Sequence, residues 1–254
     1  MQRKLNIKRI LIFIAVALIA TASGFLIIAK KYPEMSVTSL KTETPKQSEK
    51  VAEAIPNSKI VIPKSLLLPV PFTPQAPTAN WDELHNEACE EAVAIMAHEY
   101  FSGNTSSTLP PSLVEKEISK ITEWFTKRFG YYLDTTSDET AEMIRELYDL
   151  DTNLITNFSE TDIKEALAQN KLVLISFNGR LLGNPNYKSP GPIHHMLLIK
   201  GFNKEGYVTN DPGTRNGQGY TYDFETLFNA AADWDHSIKN VDLNKKIAII
   251  VSAK

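Results

Sequence analysis

Cys89 is the only cysteine in the 254-residue chain. It opens the run CEEAVAIMAHEYF, in which Ala92, Ile95, Met96 and Tyr100 recur at helical spacing before Gly103 supplies a stop. A thiol at the first turn of a helix can serve as a nucleophile. Its reactive form is the thiolate, whereas an unperturbed thiol, with a pKa of about 8.5, is only a few per cent ionised near neutrality. The free N–H groups and dipole of a helix start favour the anion. Glu90 and Glu91 oppose it, so a cationic partner is required. The bland alternative for a lone cysteine is a small buried apolar side chain.

Five histidines are available as that partner, at positions 85, 98, 194, 195 and 236. No HExxH or comparable spacing occurs among them, so no metal site and no cofactor is expected. His98 falls inside the Cys89 helix and His236 in a polar segment, where an ordinary surface role suffices. His85 lies in a loop just before Cys89, within reach of the site. His194 and His195 stand where the loop NPNYKSPGPI enters the apolar run HMLLIKGF, a position from which a rigid strand can aim an imidazole. Neighbours on a strand point to opposite faces, so only one of the two can reach the thiol. Asn210-Asp211-Pro212-Gly213 ends the returning strand of the same hairpin and places a carboxylate where it can orient a ring. The same residues also make an ordinary turn.

The elements that must hold these groups follow from periodicity. Pro110, Pro111 and Ser112 introduce a helix with Leu113, Ile118, Ile121 and Phe125 as its apolar stripe. Thr136 with Glu139 predicts a capping box ahead of a third helix, and Ser159 starts a fourth. Leu172 to Phe177, His195 to Phe202, Tyr207 to Asn210, Tyr220 to Tyr222 and Ile247 to Val251 read as strands, with a turn at Asn203 to Gly206. Helices first and sheet later is the α+β pattern, with a mainly antiparallel sheet.

Ahead of this domain, residues 10 to 29 form an uncharged, mostly apolar run long enough to cross a bilayer. Arg3, Lys4, Lys8 and Arg9 precede it, which keeps the N-terminus cytoplasmic and the remainder outside. A segment over 1–31 is thus expected to be a signal anchor and single transmembrane helix, 32–65 a flexible Ser/Thr/Lys/Glu/Pro-rich linker, and 66–254 the folded domain. Cleavage near Ala22, with secretion, is the rival reading. Beyond the first nine residues the chain carries 23 basic and 30 acidic side chains, which argues against nucleic acid and against charge-driven lipid binding. A single cysteine excludes an intramolecular disulfide.

Three segments carry a family resemblance: VPFTPQAPTANWDELHNEACEEA at 70 to 92, HMLLIKGFN at 195 to 203 and NDPG at 210 to 213. Over roughly 66 to 254 the chain resembles the C39-like cysteine peptidases of the papain-like superfamily. The resemblance implies Cys89 as nucleophile, His195 as base, Asp211 as the residue that orients His195, and Gln75 as an oxyanion-hole donor with a backbone N–H. It also selects His195 over His194, because the family's His is followed six positions later by Gly, as His195 is by Gly201. One branch of the family is fused to transporters and trims double-glycine leader peptides. In contrast to that branch, Glu90 here stands in place of Gly, Gln75 lies 14 residues before Cys89, and no GxxxxGK[ST] loop occurs. The implied activity is an extracytoplasmic hydrolase acting on a peptide or peptide-like amide, with acyl transfer as a near relative. A silent papain-like domain that binds peptides or surfaces is the alternative, and a peptidoglycan amidase a third.

Overall fold

The computed structural model describes residues 60–254. The expected anchor and the linker up to residue 59 lie outside the described residues. Among those described, no helix is long and apolar enough to cross a membrane. In chain order the elements are β1 (Leu66–Leu67), α1 (Glu83–Asn86), α2 (Cys89–Phe101), α3 (Pro111–Phe129), α4 (Ser137–Tyr148), β2 (Asp151–Thr156), α5 (Glu160–Ala168), β3 (Leu172–Phe177), β4 (His195–Asn203), β5 (Gly206–Asn210), β6 (Gln218–Tyr222), α6 (Phe224–Ala230), β7 (Asp233–Asp235), β8 (Asn240–Asp242) and β9 (Ile247–Ser252).

Each long helix forms for a local reason and docks for an apolar one. In α2 every residue from Cys89 to Ala97 is buried, so this helix is central and packs on β4, α3 and α4. Helix α3 starts with Pro111 in its first turn and buries Val114, Ile118, Ile121 and Phe125, while Leu113 stays half-buried. Burying such side chains stabilises the fold by about 1.5–3 kcal/mol each. Thr136 and Glu139 close a full capping box on α4, as their spacing predicts, and Ser159 with Asp162 does the same for α5.

The main sheet runs β2-β9-β3-β4-β5-β6 with every pair antiparallel, and β1 joins the far end of β4. Strand β3 is buried throughout and β4 in all but its last residue, which explains why both read as unbroken apolar runs. The α+β class and the antiparallel sheet are as expected. The strict order of helices before sheet is not, because β2 lies between α4 and α5 and pairs along its whole length with β9, from Asp151↔Ser252 to Thr156↔Ile247. Its alternation of exposed and half-buried residues marks an edge strand that gives only a weak apolar signal. Also unforeseen are β1, α1, α6 and the small β7–β8 pair.

The segment leading to α2 is pinned to the sheet. A Cβ on Gly201 would lie 2.4 Å from the carbonyl oxygen of Leu66, so only glycine lets β1 approach β4 here. Beyond β1, Leu68 N–H donates to Lys200 O at 2.8 Å, and the Asn210 amide donates to Val70 O and Pro71 O. Gln75 N–H then donates to Pro212 O at 2.9 Å. Three stretches distant in sequence, around Gln75, the start of α2 and the Asp211 turn, are thereby brought to one end of the sheet.

Candidate active site

His195 is the first residue of β4, opposite Phe177 on β3, and is 1 % exposed. Its Nε2 lies 2.8 Å from Asp211 Oδ1, which leaves Nδ1 as the other ring nitrogen. Asp211, the residue just after β5, is fully buried. Five donors converge on its carboxylate. Oδ1 accepts from His195 and from Gly213 N–H at 3.0 Å, while Oδ2 accepts from Asn184 Nδ2 at 2.9 Å, Tyr187 OH at 2.7 Å and Tyr222 OH at 2.9 Å. Burial pushes the Asp211 carboxyl up, but His195, Tyr187 and Tyr222 outweigh it and hold the group below its ordinary range. Burial, with Asp211 as neighbour, raises the Tyr187 and Tyr222 hydroxyls, so both remain donors.

The turn after Asp211 closes over the imidazole. A Cβ on Gly213 would stand 2.8 Å from His195 Cε1 and 3.0 Å from Nε2, so glycine is required for the turn to pass the ring. Tyr187 meets the ring edge to face at 5.4 Å. His195 and Gln75 both line a cavity of about 850 Å³, whose wall includes Trp81 and Glu87 flanking α1 and Lys188 and Arg215 on two loops. Those two loops are tied together by the Asn216 amide, which donates to Asn186 Oδ1 at 3.0 Å.

Gln75 sits against α1. Its Nε2 donates to His85 O and Asn86 O, both at 2.9 Å, so its two amide hydrogens are taken by main-chain carbonyls, and its Oε1 is buried without a partner. His85 takes part through that carbonyl. Its ring is engaged elsewhere, with Asp82 at 2.7 Å and Glu115 at 2.9 Å. His98 stacks on Tyr148 at 4.2 Å, and His236 bonds Glu139 on the exposed side of α4.

Cys89 is 4 % exposed and is not part of the cavity wall. Its thiol donates to Glu90 Oε2 at 2.8 Å, and the main-chain N–H of Met196, the residue after His195, also faces the sulfur. Burial, then the charge of Glu90 and Glu91, pushes the thiol well above its ordinary range. His194 points to the other network. Its Nε2 is 2.8 Å from Ser176 Oγ, and its Nδ1 lies 3.4 Å from Glu90 Oε1 and 3.3 Å from Asp134 Oδ1. The two adjacent histidines thus serve two different acids, His195 from the first position of β4 and His194 from the loop just before it.

Sequence reasoning missed Asn184, Tyr187 and Tyr222 around Asp211. The only available signal was the polar, aromatic composition of the NPNYK loop. It read Glu90 and Glu91 as opposing a Cys89 thiolate, and both are buried and raise its pKa.

The family model described as the Peptidase_C39 like family matches residues 67–241. Among solved structures, a Bacillus anthracis protein described as a C39-like peptidase is 12% identical with a TM-score of 0.49, covering 76% of this chain and 99% of its own. No curated protein matches the chain.

Proposed function

The chain belongs to the Peptidase_C39 like family, and we propose that it is a thiol hydrolase that cleaves a peptide or peptide-like amide, with Cys89 as nucleophile and His195 and Asp211 as its base and orienting acid. The observation that carries the reading is the buried His195–Asp211 pair, of which His195 lines a large cavity, with the Met196 N–H beside the Cys89 sulfur. Asp211 holds Nε2 and fixes the tautomer, so Nδ1 is the nitrogen that takes the thiol proton. Cys89 then attacks the carbonyl carbon, forming a tetrahedral intermediate.

Its oxyanion is met by the Cys89 main-chain N–H, which has no intrahelical acceptor at the first position of α2. Gln75 joins by exchanging one of its two carbonyl partners for the oxyanion. The proton passes from His195 to the leaving amine, and water hydrolyses the thioester. Glu87, Lys188 and Arg215 in the cavity lining suit a substrate carrying both signs of charge, as peptides do.

The test is covalent trapping in the full chain. A peptidyl vinyl sulfone is expected to add once, at Cys89, and a peptide substrate to protect against it. Labelling no faster than that of a small free thiol, without protection, sinks the reading. One observation favours a second reading, a peptide-binding domain without turnover: the Cys89 thiol is buried and bonded to a carboxylate. Protection by peptide with no cleavage in a peptide library or of cell-wall fragments would select it.

For location we propose a single-pass anchor with the domain outside the membrane, supported by the uncharged run at 10 to 29 and the four basic residues before it. Protease added to intact cells is expected to release the domain through the linker. Recovery of a soluble protein beginning at Ser23 would instead establish cleavage and secretion.

A further inference from the structure

A carboxylate buried beside a nucleophile needs a physical reason. Glu90 is 2 % exposed, and a charge so placed is unfavourable unless it is paired and hydrogen-bonded. Its Oε2 accepts from the Cys89 thiol at 2.8 Å. Its Oε1 accepts from Thr135 N–H at 3.2 Å and Thr135 Oγ1 at 3.3 Å and lies 3.4 Å from His194 Nδ1. His194 in turn is placed by Ser176 Oγ at 2.8 Å, Asp134 at 3.3 Å and the Trp234 ring at 5.5 Å. Cys89 is therefore joined to a second histidine–acid pair, separate from His195–Asp211.

We propose that Glu90, its charge compensated by His194, competes with His195 for the Cys89 thiol hydrogen and so holds the nucleophile in its unreactive form. The inference rests on the assignment of Cys89 as nucleophile and adds a second residue that touches the reacting sulfur. On activation the S–H bond breaks, its proton goes to His195 Nδ1, and the thiolate stands beside an imidazolium. Glu90 remains a carboxylate, still bonded to Thr135 and paired with His194.

The charged and titratable groups around this pair are few. Glu91 lies next on α2, its carboxyl pushed well up by burial and by Glu90. Glu87 precedes the helix, raised by burial, Asp134 and Glu90. His194 faces Glu90 from the chain before β4, and Asp134, before α4, and Asp233 of β7 face His194. Burial draws the His194 pKa down, but Glu90, Asp134 and Asp233 outweigh it and favour the imidazolium. Of these groups Glu90 alone bonds the sulfur, and its negative charge disfavours a thiolate at that distance.

The experiment is the rate of iodoacetamide labelling against pH for the full chain, in wild type, Glu90→Gln and His194→Gln, with folding followed by circular dichroism. Glu90→Gln is expected to move the labelling curve to lower pH by about one unit or more, a roughly tenfold gain in thiolate near neutrality. His194→Gln leaves the Glu90 charge uncompensated and is expected to move the curve to higher pH. Opposite shifts separate this role from a packing defect, which would displace both variants the same way. No shift, or an upward one, in Glu90→Gln overturns the proposal, as does a common direction in the two variants. If Glu90→Gln does not fold, His194→Gln decides: an upward shift supports the proposal and any other result overturns it. Labelling reports ionisation whether or not peptide is cleaved, so failure here is distinguishable from failure of the nucleophile assignment, which Cys89→Ala turnover tests.

Discussion

Cys89→Ala is expected to lower turnover by on the order of 10⁴-fold or more, because in the proposed mechanism it removes the atom that forms the covalent intermediate. The fold should survive. Alanine suits a helix start, and the lost contacts are one sulfur and one hydrogen bond to Glu90, a cost of about 1–2 kcal/mol. Cys89→Ser is the informative companion, since its hydroxyl can still donate to Glu90 but is a far weaker nucleophile. Kinetics and thermal melts on the same preparations check this. Native-like melts with residual turnover near wild type would remove Cys89 from the mechanism.

His195→Ala is expected to cost on the order of 10²–10⁴-fold in turnover at every pH, because no other imidazole among the described residues is paired with Asp211. His194→Gln is expected to keep turnover while displacing its pH dependence. The reverse result would exchange the roles of the two histidines. Asp211→Asn should lose activity with His195→Ala, since an amide nitrogen in that pocket faces the donors of Asn184, Tyr187, Tyr222 and Gly213. It also carries a stability signature. The Asp211 pKa is depressed in the folded state, so its contribution is present above the unfolded carboxylate value of about 3.9 and is lost as pH falls toward the folded one. Wild-type melting temperature should therefore drop below about pH 4, and the Asn variant should show a flatter profile there.

The helix that carries Cys89 was legible because its causes are local: apolar spacing along CEEAVAIMAHEYF and the stop at Gly103. The capping boxes of α4 and α5 were equally so, each complete within four residues. Strands β3, β4 and β9 declared themselves as apolar runs. By contrast α1 has only four residues, too short to hold a helical pattern, and it forms where Asp82 caps it and Gln75 bonds its carbonyls. Strand β2 has a partner almost a hundred residues away, so nothing near it in sequence announced the pairing.

By itself the sequence determined that the chain resembles a thiol hydrolase, that one helix start carries its sulfur, and that of two adjacent histidines only one could serve it. Tertiary structure alone decided the surroundings. Asn184, Tyr187 and Tyr222 converge on Asp211 from two separate stretches of chain, Gln75 spends its amide hydrogens on α1, and Glu90 turns inward to Cys89 and His194. The physical reason is range. Capping and periodicity act over a few residues and are written in order along the chain, whereas a buried carboxylate is satisfied by whichever donors the packed sheet brings within about 3 Å.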